Sequence, residues 1–446
     1  MSPGNVLSRP VLRYDDAEAL LLSRVREDPR PYDMRGAVAG IAVRRLLDTV
    51  GRPEDGLEVL HIAGSKGKGS VALFVEAMLR HAGHATGTFT SPHLTCWNER
   101  IRINGEPVDD DALCAVLERL RPAIATLDGE NDDLAPTFFD VLTAAGLLAF
   151  AEAGCRCAIL ETGLGGTYDA TNVVSPRATA ITSIELEHTD KLGVTLESIA
   201  AHKAGIIKPG IPLVSGDLPA AARAVISERA QALGAPQHRY GEDWRIDSEP
   251  DSPSSRRVHY SEDAADPPYA ATFRCPHPLE HMAVNAGIAL ALVRAAGYSV
   301  HPDAISGCTL PARGQFLGHE PWLLVDGAHT EDSLRALGEI LAGVPARERH
   351  FVISTTHGKS TRMLQPLLCG ATRVLATCAD RSRSMPAADL AAALSAQDAD
   401  LPVETVDDPR EALLRAREDL PRQAVLCVCG SVYIAGRALE VLRPRP

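Results

Sequence analysis

Eight residues, Ala63-Gly64-Ser65-Lys66-Gly67-Lys68-Gly69-Ser70, bring glycines, lysines and hydroxyls into one short stretch. The chemistry this suits is phosphate binding. Gly64, Gly67 and Gly69 let the backbone turn tightly so that several N–H groups converge, and Lys68 adds a point charge. The apolar run Leu57–Ala63 before the stretch reads as a strand and Ser70–His81 after it as a helix, whose positive end would face the same anion. Ser70 stands where it would cap that helix or ligate Mg²⁺. The spacing is not GxxxxGK[ST], because Gly69 separates Lys68 from the hydroxyl. A glycine turn with an exposed lysine is the alternative, and the strand–loop–helix setting favours phosphate.

Two further groups follow strands. Cys157-Ala-Ile-Leu-Glu161 is an apolar strand ending in a carboxylate, followed by Gly163-Leu-Gly165-Gly166. Ligands of parallel α/β sheets gather at strand carboxyl ends. A carboxylate there suits Mg²⁺, which takes one or two carboxylates plus phosphate oxygens. The cluster Glu185, Glu187, His188 and Asp190 comes after a predicted strand over Thr179–Ile184 and offers further ligands. Taken singly, a solvated strand-end glutamate and a structural histidine explain these residues as well.

The elements that must position these groups alternate between strand and helix, the pattern of an α/β fold with a mainly parallel sheet. Beyond those already named, the pattern predicts a strand over Thr86–Thr90 and helices over Phe139–Ala153, Leu196–Ala204 and His281–Ala296. Gly241–Pro278, rich in proline, reads as short antiparallel strands and surface loops within the first domain. Pro302–Gly314 reads as a connection. Beyond it come strands Trp322–Val325, His350–Ser354, Arg373–Ala376 and Ala424–Cys429, with a helix over Glu331–Leu341. The expected organisation is an N-terminal domain over 1–301, a linker over 302–313 and a C-terminal domain over 314–446.

With 446 residues, 45% hydrophobic and 23% charged, the chain has the composition of a globular protein and is long enough for about two to three domains. Basic residues number 45 against 58 acidic, a net charge of −13, which argues against general attraction to nucleic acid or anionic membranes. The first residues lack the apolar core of a secretory signal, and no apolar run is long enough for a bilayer. The ten cysteines form no CxxC pair; Cys155, Cys157, Cys427 and Cys429 read as buried thiols. The expected location is the cytoplasm.

The blocks AGSKGKGS, TSPHL (Thr90–Leu94), NERIRING (Asn98–Gly105), TFFDVLTAA (Thr137–Ala145), LETGLGGTYDATNVV (Leu160–Val174), EHTDKLG, KAGIIKPG (Lys203–Gly210), PARG (Pro311–Gly314) and DGAH (Asp326–His329) occur in this order. Together they resemble the folylpolyglutamate synthase/dihydrofolate synthase family of the Mur ligase superfamily. The resemblance implies a P-loop-containing ATPase domain with a mainly parallel sheet and a smaller, Rossmann-like C-terminal α/β domain. It implies an ATP-dependent ligase that joins L-glutamate to a folate-type carboxylate, from tetrahydrofolate or dihydropteroate, through an acyl phosphate. Gly67, Lys68, Gly69 and Ser70 would hold the ATP phosphates. Ser70, Ser91, Glu161 and His188 would coordinate two Mg²⁺ ions, joined by Lys203 as a carbamate. Asn285 would face the adenine side, Arg313 would reach the phosphates and Asp326 the ribose, with ATP in a cleft between domains. Thr137, Phe138, Phe139, Asp140, Tyr168, Asp169 and Ala170 would lie on the pterin side. Small-molecule substrates and a monomer are expected, with no nucleic-acid or membrane partner.

Lys66, Thr167 and Thr330 depart from residues common in that family. Two other readings stay open: a Mur-type ligase for a different acid, and a P-loop kinase or nucleotide-binding regulator. Arg313 and Asp326 in a second domain speak against the latter.

Overall fold

The computed structural model describes residues 12–25, 40–130, 135–263 and 267–443. The chain divides into two compact units. The first comprises the residues through Asp247, His259–Phe273 and Val284–Cys308; the second comprises Ser248–Val258, Arg274–Ala283 and the residues from Thr309 onward. The change at Cys308/Thr309 lies within the expected connection. Two segments of the stretch 1–301, Ser248–Val258 and Arg274–Ala283, group with the second unit.

In the first unit eight strands form one sheet: β1 (Glu58–Ala63), β2 (Thr86–Phe89), β3 (Ile101–Ile103), β4 (Glu106–Pro107), β5 (Cys157–Glu161), β6 (Pro176–Ile181), β7 (Leu213–Ser215) and β8 (Gln237–Arg239). Their order is β4-β3-β2-β5-β1-β6-β7-β8. β2 through β8 in that order pair in parallel, while β3 and β4 close one edge antiparallel. β1 lies between β5 and β6, with Ile62 opposite Glu161 and Ala63 opposite Ile181. Such a strand is covered on both faces, and β5 is accordingly buried at every residue. The helix Phe138–Glu152, apolar nearly all round, is buried from Val141 to Phe150 and packs with Val59, Phe89 and Leu160 of the sheet. A second cluster joins Ala63 and Ile181 to Ile199, Ala200 and Ile206.

Three strands, β9 (Arg245–Ser252), β10 (Ser255–Glu262) and β11 (Tyr269–Cys275), form a sheet in the order β11-β10-β9. The second unit has six strands: β12 (Gln315–His319), β13 (Trp322–Val325), β14 (Glu348–Ile353), β15 (Arg373–Ala376), β16 (Val403–Thr405) and β17 (Ala424–Cys429). In the order β12-β13-β17-β14-β15-β16 they pair in parallel except for β12. Leu334, Leu337 and Ile340 of the helix Glu331–Ala342 join Leu324, Phe351, Val374 and Cys427 of the sheet in its core. Among the described residues no helix is long and apolar enough to cross a membrane.

Candidate active site

Four neighbouring parallel strands deliver their carboxyl ends to one place, and the first unit's chemistry collects there. The loop after β1 carries Ser65 and Lys68, the turn after β2 carries Ser91, β5 ends in Glu161 before Gly163–Gly165, and the segment after β6 carries Glu187 and His188. Ser65, Lys68, Ser91, Pro92, Gly163, Leu164, Gly165, Glu187, His188 and Lys203 line a pocket of about 160 Å³.

The loop from Gly64 to Gly67 is clasped by the chain after β6. Ser65 N–H donates to Ser183 O (2.8 Å), Lys66 N–H to Ser183 Oγ (2.9 Å), and Thr182 Oγ1 to Lys66 O (2.5 Å). Gly67 ends the loop at φ 83°, and the helix begins at Lys68. A Cβ at Gly67 would stand 2.5 Å from Asn285 Oδ1, so both the backbone conformation and the closeness of Asn285 require glycine. Asn285 is thus beside the phosphate-type loop. Gly69 and Ser70 lie buried in the helix's first turn.

Two ammonium groups converge on one carbonyl oxygen. Lys68 Nζ donates to Gly64 O at 2.9 Å and Lys203 Nζ to the same oxygen at 2.8 Å. Lys203 is 1% exposed at the end of the helix Leu196–Lys203, and its Nζ also meets Glu187 Oε1 at 3.1 Å. Burial first, and the Lys68 charge second, pull its amine down to about 8; Glu187 opposes the drop. The other Glu187 oxygen is 3.8 Å from Lys66 Nζ, which is mostly in solvent. A polar pocket with clustered cations and backbone N–H groups at strand ends is suited to a multiply charged anion.

Glu161 is buried and accepts the Ser91 N–H at 2.9 Å. His188 sits at φ 47°, a left-handed conformation that is uncommon outside glycine and often marks functional positions. Arg100 is buried near Glu161: desolvation lowers its guanidinium to about 10, and the Glu161 charge opposes this. Its Nε donates to His93 Nδ1 at 3.0 Å, and the guanidinium carbon is 5.4 Å from the Trp97 ring and 5.6 Å from that of Phe138.

Several expected pterin-side residues have local partners. Thr137 and Asp140 form the capping box of the helix Phe138–Glu152. Phe138 meets Trp97 edge-on (5.9 Å) and Phe139 meets Phe89 (5.7 Å). The Phe139 ring also packs over Gly163, where a Cβ would stand 2.5 Å from Cζ. Tyr168 is half-buried with its ring 6.0 Å from that of His202. The Asp169 carboxylate is engaged by backbone and hydroxyl donors, and Ala170 is buried in the core at the start of a 3-10 turn.

Arg313 and Asp326 come together in the second unit. Asp326 follows β13 and accepts the N–H groups of Gly314 and Ala328, each at 2.6 Å. Burial raises its carboxyl to about 6, and the Arg313 charge partly offsets this. Thr330 caps the helix Glu331–Ala342.

Arg100 is the site residue that sequence reasoning does not single out, and Glu187 reads from sequence only as a possible metal ligand, not as the partner of Lys203. For Glu187 the signal is present, an acid directly before His188, but its lysine partners lie far away in the chain.

Fold and site together define a two-unit α/β protein of the Mur ligase type, with an anion loop at the carboxyl ends of parallel strands. The sequence profile described as "Dihydrofolate synthetase, C-terminal domain" matches residues 315–441. The Bacillus subtilis "Dihydrofolate synthase/folylpolyglutamate synthase" is 33% identical over 346 residues, covering 76% of this chain and 79% of that protein. The chain belongs to the folylpolyglutamate synthase/dihydrofolate synthase family. A Haloferax volcanii "Probable bifunctional folylpolyglutamate synthase/dihydropteroate synthase" is 32% identical over 410 residues and 89% of this chain, which spans 47% of that longer protein. The solved structure "E.coli FolC in complex with DHPP and ADP" superposes with a TM-score of 0.78 at 26% identity, covering 98% of this chain and 99% of that one.

Proposed function

We propose that this chain is an ATP-dependent ligase that joins the amine of L-glutamate to the carboxylate of a folate-type acid, either dihydropteroate or a reduced folate. The convergence of Lys68 and Lys203 on Gly64 O, inside a pocket at the ends of β1, β2, β5 and β6, carries the reading. The ADP and DHPP bound by the E. coli relative support it.

In this reading Gly67, Lys68, Gly69 and Ser70 receive the ATP phosphates at the positive end of the helix Lys68–His81. Asn285 faces the nucleotide, and Arg313 and Asp326 carry the phosphate and ribose contacts expected of the second unit. The acceptor carboxylate attacks the γ-phosphorus, the bond to ADP breaks, and an acyl phosphate results. The glutamate amine then attacks the acyl carbon, phosphate departs, and the amine's surplus proton goes to solvent. Both steps bring anions together, so positioning and charge neutralisation are the main tasks of the protein.

The donors suit Mg²⁺. Ser91 and His188 line the pocket, the buried Glu161 carboxylate accepts the Ser91 N–H behind it, and Ser70 lies buried in the first turn of the helix Lys68–His81; the three oxygen donors are hard ligands. No group of three or more His, Cys, Asp and Glu residues forms a cage among the described residues; Mg²⁺ commonly takes one or two carboxylates and completes its shell with phosphate oxygens and water. When bound, the metal would neutralise charge between the phosphoryl group and the acceptor.

Lys203 is proposed to carry a carbamate. Carbamylation needs a neutral amine, and at a pKa of about 8 about a tenth of the molecules have one at pH 7, against fewer than about one in a thousand for an ordinary lysine. Nitrogen adds to CO₂, a proton leaves, and the cation becomes an anion on a long stem. Lys68 and Lys66 stand ready to balance it beside Glu187.

The test measures ADP release with dihydropteroate and with tetrahydrofolate, each with and without L-glutamate. The reading requires full turnover only when ATP, one of these acids and glutamate are all present. ATP hydrolysis indifferent to both acids rejects it.

A further inference from the structure

A buried line of polar side chains runs from the middle of the sheet to the pocket-lining loop, and neither the phosphate chemistry nor the metal donors use it. His61, in β1, and Thr171 are wholly buried, and Asp169 is 6% exposed. His61 Nε2 is 2.8 Å from Thr171 Oγ1, and Thr171 Oγ1 is 2.5 Å from Asp169 Oδ1. Asp169 Oδ1 also accepts the Thr171 N–H (3.0 Å), while Oδ2 accepts the N–H groups of Gly163 and Leu164, both at 2.9 Å. Gly163 and Leu164 line the pocket with Lys68 and Lys203.

The direction of the bonds follows from proton counting. A threonine hydroxyl has one proton, and here it goes to the carboxylate. His61 is therefore the donor to Thr171, with its proton on Nε2. Its Nδ1 is bare and has no hydrogen-bond partner. Burial drives the imidazole down to about 3, so it stays neutral across the working range. Asp169 ends with four donors, two of which belong to the loop. At the loop's other end, Thr167 donates from N (2.8 Å) and Oγ1 (3.0 Å) to His202 O, next to Lys203.

We propose that Thr171 and His61 are positioning residues for the ligase reaction: through Asp169 they fix the height of the Gly163–Leu164 backbone, and with it the acceptor side of the pocket. This rests on reading the pocket as that of a ligase, and one of its two tests is independent of that reading. Neither residue lines the pocket, and both are wholly buried. An unpaired buried donor or acceptor is costly, so deleting the Thr171 hydroxyl leaves His61 Nε2–H unpaired and Asp169 one donor short, and the loop is expected to shift to compensate.

The experiment compares Thr171→Val, Thr171→Ser and His61→Phe in the full chain. In amide hydrogen exchange, Gly163 and Leu164 exchange at least about tenfold faster in Thr171→Val, while Thr171→Ser keeps wild-type protection. In steady-state kinetics with dihydropteroate or tetrahydrofolate, Thr171→Val raises the acceptor KM about tenfold or more and leaves the ATP KM within about twofold; Thr171→Ser restores the acceptor KM. His61→Phe moves both readouts the same way by a smaller factor and serves if the valine variant does not fold. Unchanged loop exchange in a folded Thr171→Val or His61→Phe protein overturns the proposal, as does a parallel rise of both KM values. Lack of turnover with either acid in the wild-type chain fails the ligase reading and leaves the exchange result to decide on the loop.

Discussion

Lys203→Met should stabilise the first unit and abolish turnover. The amine is 1% exposed and its pKa falls from 10.5 to about 8, which corresponds to about 3 kcal/mol of cost for holding the charged form inside. Below pH 8 the lysine is protonated in both states and the folded state bears the whole cost. Between about 8 and 10.5 the folded chain sheds its proton while the unfolded chain keeps it, so stability rises with pH in that window. Methionine fills nearly the same space without charge, and gives up the bond to Gly64 O, about 1 kcal/mol. The net at pH 7 is a gain of about 1–2 kcal/mol, or about 2–3 °C in the melting temperature of a unit this size. At pH 9.5 wild type has recovered about 2 kcal/mol, and the two proteins should melt nearly together. Calorimetric melts of both at pH 7 and pH 9.5, in CO₂-depleted buffer so that the amine is unmodified, read this directly. A methionine variant less stable than wild type at pH 7, or a gap that does not change with pH, refutes the account of Lys203 as a cation held at a cost for function.

Lys68→Ala should melt like wild type and lose about a hundred- to a thousandfold in turnover, the usual effect of removing one charge-stabilising donor from a water-poor site; near-normal ADP release would remove Lys68 from the phosphate site. Glu161→Gln should raise the Mg²⁺ concentration for half-maximal rate about tenfold or more, and a magnesium titration that is unchanged in both Glu161→Gln and His188→Ala rejects the donor set. In the second unit, burial raises Asp326 to about 6, so the folded state holds a proton that the unfolded state has lost and stability falls as pH rises from about 4 through about 6. Asp326→Asn should flatten that slope; melts at pH 4.5 and 7 that retain it would place the titration elsewhere.

Chemistry at strand ends was legible because a strand's end is marked by the residue that breaks its apolar run. β5 ends at Glu161 as read, and β13, β15 and β17 keep their expected bounds. Elsewhere tertiary use overrides local pattern. β6 begins at Pro176, tolerated as the first residue of a strand, and stops at Ile181, not Ile184, because Thr182 and Ser183 turn their bonds to the phosphate-type loop. The helix after that loop starts at Lys68, not Ser70, because Gly67 takes the left-handed conformation and admits the lysine to the first turn.

The candidate site shows where one chain's pattern runs out. A threonine with a carboxylate three residues on is the pattern of a capping box, and Thr137 with Asp140 forms one at the start of the helix Phe138–Glu152. Asp169, an acid that follows the glycine-rich turn after β5 and caps a 3-10 turn, uses its oxygens to hold that loop, a role its place in the sequence does not disclose. Glu187 is another such residue. Its charge has ordinary neighbours in sequence, and its meaning comes only from Lys203 and Lys66, brought to its two oxygens by a helix and a loop. Where two lysines share a carbonyl and one acid bridges two lysines, every charge in the pocket has a partner that a change at Lys203 would reassign. A pocket so arranged responds as a unit to the charge of one amine, so the effect of a change at Lys203 is read together with the charges of Lys66, Lys68 and Glu187 that surround it.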